Sequence, residues 1–470
     1  MPKKAGAKSA KAGQPVKAKK RINKAKPVKI SSEPKAKSSR RFSRLRGMRD
    51  VLPEEYKYWD LVIKKATELA RAYDFKTVKT PILESLELYN KSTGKDTDIV
   101  AKEMYSFIDK NGDKVALRPE LTPSLVRAYI EHGMFNLPQP VKFFTLGPIF
   151  RHEKPQAGRY RQSYQFDIEI FGEENPVADF LIILIAYNFF RELQIDVQIQ
   201  INNIGCQECR PEYIQKLVEY YKARGNRSKL CNDCKKRFTR NPLRLLDCKE
   251  AGCLELREEA PQVVDYLCDN CREYFIKVLE YLDELDIPYS LNPYLVRGLD
   301  YYNRTVFEVW PIEEEENETS ISQQGALGGG GRYDGLVEHM GGRPTPACGL
   351  AIGVERTILK IKEKNIPLKK DTANLIFIAQ LGDQARRKVI IIFEELRRAG
   401  YRVRQAFTKN SLKAQLEEAN RIGAKFSLIL GQKEVMDETI LIRDMDSGIQ
   451  EVVDFKKARA EIDKRLANGD

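Results

Sequence analysis

Four short cysteine pairs stand between residues 206 and 271: Cys206 with Cys209, Cys231 with Cys234, Cys248 with Cys253, and Cys268 with Cys271. A Cys-x-x-Cys turn aims two thiolates at one point, and two such turns complete the tetrahedron that zinc takes. Eight cysteines in four pairs therefore predict two tetrathiolate zinc sites, or one site with leftover pairs. Spacing leaves the pairing open. The working assignment joins 231/234 to 268/271 and 206/209 to 248/253. Chance burial and redox thiols are the competing explanations. Cys348 stands apart from the eight and reads as a packed side chain.

A second stretch with chemical content is FRHEKPQAGRYRQSYQFDIEIFG, residues 150–172. It reads as strand, loop, strand. Apolar positions from Phe143 lead to Phe150, a charged Gly/Pro loop runs from Glu153 to about Arg161, and a second strand reaches Phe171. In that strand Tyr164, Phe166, Ile168 and Ile170 alternate with Gln165, Asp167, Glu169 and Phe171. Such alternation sends one set into a core and predicts an open face for the other. Gln165 and Glu169 then point the same way, roughly 13 Å apart at the strand rise. With Arg151 at the loop entrance, one face offers a fixed cation and fixed acceptors. That suits an anionic ligand carrying an ammonium or N–H donor; a solvated hairpin is the alternative. Three histidines, His132, His152 and His339, are too few and scattered for a histidine-based metal site or triad.

The elements that must position these residues follow in chain order. A helix from Pro53 to about Tyr73 has Ile63, Ala66, Ala70 and Tyr73 on one face. The run TVKTPILE predicts a strand, with Pro81 suited to an edge. Two short strands flank Asn111-Gly112, a hairpin signature. The second runs into Arg118-Pro-Glu-Leu-Thr122, and a helix carries on to about His132. A buried helix spans Val177–Leu193. The cysteine-rich region, 205–285, carries helices near 211–224 and 259–285. A loop and strand at 295–310, the glycine run 328–331, and GLAIGVER entering a helix complete this unit. Residues 362–373 are a charged linker. From 374 a β-α-β-α-β pattern predicts a separate small α/β domain.

The chain of 470 residues is long enough for two to four domains. It has no apolar run of membrane-spanning length, and its Lys-rich start lacks the apolar segment of a secretory signal, so a cytoplasmic chain is expected. The net charge of +13 is uneven. Residues 1–41 hold fifteen Lys/Arg against one acid, Glu33, leaving the remainder near neutral. This Lys, Ala, Pro and Ser tail cannot bury enough surface to fold and suits sequence-independent attraction to RNA phosphates. An acidic run, Glu313–Glu318, reads as a solvated loop.

Arg151-His152-Glu153, the GRYRQ run and the strand after it resemble motif 2 of class II aminoacyl-tRNA synthetases, in the wording of the histidyl-tRNA synthetase family. The resemblance extends through nearly all of residues 45–455. It implies an α+β protein: a class II antiparallel-sheet catalytic domain at 42–361 that includes the cysteine-rich insertion, and an α/β anticodon-binding domain at 374–470. It also implies a homodimer, with TVKTPILE as the interface motif. The reaction would join L-histidine to ATP, with Mg2+, as an adenylate and pass it to the 3′ end of tRNA(His).

The resemblance also assigns roles. Arg151 would bind the α-phosphate, Arg356 the γ-phosphate, and Arg297, in LVRGLDYY, would be an extra cation at the reacting phosphate. Planar guanidinium forks grip phosphate and keep their charge. Glu120, Thr122 and Gln165 would hold the backbone end of histidine. Glu169 and Tyr302 would read the ring, with Tyr301 and Tyr333 lining the same pocket. GGGGRYDGL matches a histidine-specific signature whose glycines let backbone approach a ligand. Gln156 and Arg161 would meet an extra 5′ guanosine of the tRNA. Many members of the family lack the eight cysteines, so these would staple an insertion that leans on the tRNA acceptor arm. Two readings from other classes stand beside this one: a catalytically inactive, histidine-sensing regulatory paralogue, and an RNA-binding protein built on the same scaffold.

Overall fold

The computed structural model describes residues 42–467 except 96, 155, 224, 313–324, 369–374 and 407–410. The basic tail and the acidic run at 313–318 lie outside the described residues.

Eight strands form the central sheet. Their spatial order is Lys76–Thr77, Val141–Phe150, Gln162–Phe171, Ala347–Gly353, Gly328–Arg332, Asn303–Pro311, Val197–Asn203 and Tyr289–Leu291. Inner neighbours are antiparallel, while the two outermost pairs are parallel. One face is covered by the helices Pro53–Ala72, Pro176–Glu192, Asp269–Glu284 and Val354–Glu363, around a core containing Phe166, Ile168 and Ile170. The first helix forms where expected. Pro53 supplies a first-turn residue with no N–H to satisfy, Glu54 and Glu55 complement the helix dipole, and Trp59, Val62, Ala66, Leu69 and Ala70 give a buried stripe. Each large side chain in that stripe contributes about 1.5–3 kcal/mol by leaving water.

Two elements depart from the sequence reading. TVKTPILE is not one strand. Lys76–Thr77 pairs with the sheet edge, Leu83–Ser85 joins a separate three-stranded sheet, and the chain breaks between them. Pro81 has no N–H for a ladder, and Arg118 Nη1 takes the Thr80 and Pro81 carbonyls at 2.9 and 3.3 Å, holding the break open. The expected helix at 259–285 begins only at Asp269, after a short 3-10 turn over Val263–Tyr266. Pro261 precedes that turn, and Cys268 occupies the cap position, so the cysteine pair marks a helix start.

Residues 204–287 form a helical excursion between the Val197–Asn203 and Tyr289–Leu291 strands. Beyond the linker, a five-stranded sheet has the order Arg402–Gln405, Leu375–Gln380, Phe426–Leu430, Thr439–Asp444, Gln450–Asp454. The first three are parallel and joined through the helices Asp383–Arg398 and Leu412–Arg421, as the β-α-β-α-β pattern predicts. The last two add on antiparallel, and the final strand and the helix Ala458–Ala467 go beyond that pattern.

Candidate functional site

The strands Val141–Phe150 and Gln162–Phe171 pair antiparallel over their full length, from Val141 opposite Phe171 to Phe150 opposite Gln162. Alternation puts Gln165, Asp167 and Glu169 on the face away from the helices. That face is not open. Asp167 and Glu169 are each 1% exposed, because the Thr122 helix and the loops at 297–302 and 332–334 roof it. Beneath this roof is a cavity of about 1110 Å³.

The cavity wall brings together Glu120, Thr122, Arg151, Gln156, Gln165, Arg297, Tyr301, Tyr302 and Arg356. Glu169 and Tyr333 sit one layer behind it. Thr122 Oγ1 donates to Glu169 Oε1 at 2.6 Å, and the Tyr333 hydroxyl donates to Glu169 Oε2 in a short bond. Glu120 accepts from Thr93 Oγ1 at 2.5 Å and from the Tyr301 hydroxyl at 2.8 Å. The rings of Tyr301, Tyr302 and Tyr333 cluster with centroids 4.7–6.4 Å apart. Arg161 is outside the wall; its Nη1 donates to the Arg46 carbonyl at 3.3 Å.

Each arginine is braced differently. Arg151 Nε donates to the Pro119 carbonyl at 2.7 Å, and Nη1 is 3.9 Å from Glu153. Arg297 Nη1 donates to Glu308 Oε1 at 2.8 Å, with its guanidinium 5.7 Å over the Tyr302 ring. Arg356 Nη1 donates to the Ala326 carbonyl. The glycine run accommodates this packing. A Cβ on Gly329 would stand 2.7 Å from Arg297 Nη1, and one on Gly349 would collide with the Glu169 carboxylate. These glycines admit functional side chains and neighbouring strands as well as any ligand.

Burial shifts the charged groups around the cavity in opposite senses. Burial pushes the Glu169 carboxyl up to about 8, with its two hydrogen bonds opposing and Glu120 adding to the rise. Burial also raises Glu120 and lifts Asp167 well above the carboxylate range, the latter helped by Glu169 and Glu120. Arg356 is pushed down to about 10 by burial and then by Arg159. The buried carboxyls thus hold their protons more readily and Arg356 gives its own up more easily, while Arg151 and Arg297, beside Glu153 and Glu308, also act on Glu120. A ligand with an ammonium or ring N–H for the carboxyls and phosphates for the guanidiniums would satisfy both.

Asp167, Arg159 and Glu308 also line the cavity without having been singled out from sequence. Asp167 was within reach of that reading, since it lies between Gln165 and Glu169 on the same strand face. Glu308 was not, because its partner Arg297 belongs to the preceding loop.

The cysteines form two quartets, Cys206/Cys209/Cys268/Cys271 and Cys231/Cys234/Cys248/Cys253, each with all sulfurs within 4.8 Å of one another. The working assignment is therefore wrong: the pairs nest, with the outer two joined and the inner two joined. The outer pairs start the helices Arg210–Lys222 and Asp269–Glu284 at the sheet end, where Asn203 Nδ2 donates to the Cys271 carbonyl. The inner pairs lie in the excursion between those helices. The closest sulfur contacts, 3.6–3.9 Å, are near the ~3.8 Å tetrahedron edge set by a Zn–S bond of ~2.3 Å, far from the ~2.05 Å of a disulfide.

The family model for histidyl-tRNA synthetase matches residues 47–357, and that for an anticodon binding domain matches 367–465. The chain is 43% identical over 422 residues to a histidine–tRNA ligase of Dehalococcoides mccartyi, covering 90% of this chain and 99% of the relative. It is 43% identical over 410 residues to the one from Thermosipho melanesiensis, covering 87% and 95%. The apo histidyl-tRNA synthetase of S. aureus superposes with a TM-score of 0.75 at 32% identity, covering 90% of this chain and 99% of that one.

Proposed function

The chain belongs to the histidyl-tRNA synthetase family, and from that premise we propose that it activates histidine with ATP and transfers it to the 3′ end of tRNA(His). The observation that carries this is one cavity whose wall holds three arginines together with the buried carboxyls Glu120 and Asp167. The chemistry asks mainly for alignment and charge dispersal. A carboxylate must meet the α-phosphate in line, and the negative charge that develops must find fixed cations.

The division of labour follows. Arg151 and Arg356 grip the α- and γ-phosphates. Arg297 faces the charge that grows at the reacting phosphate, where a preorganised donor acts on the transition state more than on binding. Glu120, Thr122 and Gln165 receive the ammonium end of histidine. Glu169 and Tyr302 read the ring, Glu169 through the Thr122 and Tyr333 layer in front of and beside it, and Tyr301 and Tyr333 fix that layer. A side chain without ring N–H groups would leave these polar partners unpaired in a dry site. ATP would enter as its magnesium complex, with Glu153 and Glu308, which sit beside Arg151 and Arg297, among the carboxylates of the wall.

Each cysteine quartet suits one structural Zn2+, the sulfur spacing being the support. The family's dimer and its tRNA contacts, Gln156 and Arg161 among them, extend the same reading, with residues 374–470 as the anticodon-binding part and the tail at 1–41 as an RNA-attracting arm. Among the described residues no helix is long and apolar enough to cross a membrane. Eight thiols poised for metal suit a reducing compartment, hence the cytoplasm. The regulatory reading is weaker: such paralogues usually lose the arginine signature or the C-terminal domain, and this chain has both. Histidine-dependent ATP–pyrophosphate exchange by purified protein is the test. Exchange should appear with histidine and vanish when it is omitted; its absence with histidine present would leave the regulatory or RNA-binding readings.

A further inference from the structure

The two quartets differ in where they stand. Cys231 and Cys248 lie on the wall of the catalytic cavity itself, with Lys249 beside them. The segment folded against this inner quartet runs through the helix Asn232–Arg240 and the turn Pro242–Leu245. It is tied to the neighbouring loops at two points. Arg237 Nη2 is 2.7 Å from Asp98 Oδ2, and Arg244 Nη2 is 3.7 Å from the same oxygen. Asn241 Nδ2 donates to Asp300 Oδ1 at 2.5 Å.

Asp98 leads a segment that pairs with the backbone at Arg151, and Asp300 sits on the loop that carries Arg297. Asp98 leads into the turn Ile99–Glu103; the Glu103 carbonyl accepts from the His152 N–H at 2.6 Å, and Met104 bridges Arg151. Asp300 lies between Arg297 and Tyr301, and Arg244 packs on that loop, where a Cβ on Gly298 would stand in contact with its Nη1 at 3.4 Å. The Asn232–Leu245 segment has little apolar core of its own: Phe238 and Leu245 are its large buried apolar side chains. Four thiolates on one ion would fix it, because ligand binding and folding are a single event in modules this small.

We propose that the inner quartet is a zinc-class site whose occupancy sets the rate of histidine activation from outside the reaction, by fixing Arg237, Asn241 and Arg244 on Asp98 and Asp300 and so locating the backbone of Arg151 and Arg297. The ion touches no substrate. Asp98, Arg237 and Arg244 are positioning residues, and this rests on the reading of the chain as a histidine-activating ligase.

The test uses full-length protein purified with zinc and no chelator, measured for metal content, for limited proteolysis within 225–258 and for pre-steady-state adenylate formation. Wild type should carry zinc at both quartets. Cys231→Ser with Cys234→Ser should lose one zinc per chain, become cleavable in that segment and form adenylate more slowly by on the order of ten- to a hundredfold. Asp98→Asn should keep both zincs and the wild-type cleavage pattern yet slow adenylate formation in kcat more than in the KM for ATP. Arg237→Ala should behave like Asp98→Asn, and Arg237→Lys should recover most of the rate. Adding Asp98→Asn to the cysteine variant should slow it little further, since both changes release one contact. The proposal is overturned if the cysteine variant loses its zinc and activates histidine at the wild-type rate, if Asp98→Asn is unimpaired, or if wild type exchanges pyrophosphate without carrying zinc. Wild type that carries zinc and shows no histidine-dependent exchange overturns the ligase reading and the coupling with it.

Discussion

On the helix side of the Gln162–Phe171 strand, Phe166, Ile168 and Ile170 are at most 2% exposed; on the other side, Asp167 and Glu169 are as dry. The apolar face gains free energy by leaving water. The polar face spends it, since a carboxyl removed from water stays affordable only by keeping its proton or finding a partner. One strand thus carries a stabilising face and a poised face a residue apart. The lesson is that the poised face is maintained by the other: Phe166, Ile168 and Ile170 hold the register that keeps Glu169 under Thr122 and Tyr333.

That contrast can be tested by damaging each face. The largest loss of stability should come from Ile168→Ala, about 2–5 kcal/mol in denaturant unfolding. With Phe166 and Ile170 still holding the register, histidine-dependent exchange per folded molecule should change far less; a stable but inactive variant would break the division. On the site side, Arg297→Ala should lower adenylate formation by ~10²–10³ while histidine still binds and thermal stability stays near wild type. Rapid-quench measurements within threefold of wild type would show that Arg297 does not serve the reacting phosphate.

Glu169→Gln should have a quieter signature. The folded carboxyl titrates near 8 and its ordinary value is 4.5, so between those values the native state holds a proton that the unfolded chain has released. Stability from this group is fully present below about 4.5 and falls as pH rises toward 8. Folding near pH 6–7 should take up about one proton at this residue. Glu169→Gln should remove that uptake and flatten the pH dependence of melting across the window, while weakening histidine binding by calorimetry with ATP binding little changed. An unaltered slope would mean Glu169 is ionised in the fold.

Much of this was legible in the sequence where information is local. Period-two alternation located the Gln162–Phe171 strand and its polar set, and Asn111-Gly112 located a hairpin, because side-chain direction and turn geometry are set by neighbours. What failed depends on distant chain. The dryness of Glu169 comes from residues 122 and 333, and the break at Pro81 is held by Arg118. Cysteine spacing shows which thiols can share an ion but not which pairs meet. That was decided by the sheet end, which brings the starts of two helices side by side.

The nesting of the quartets has a consequence for how the chain is born. The inner quartet closes a span from 231 to 253 and the outer one from 206 to 271. Closing the longer span costs about 1 kcal/mol more in chain entropy by the logarithmic rule. During synthesis the inner thiols are all available once Cys253 has left the ribosome, whereas the outer set waits for Cys271. A ribosome-bound fragment can therefore hold a finished inner knot while the strands that complete the sheet are still untranslated, and the outer four sulfurs then draw that knot down beside the sheet as the last strands arrive.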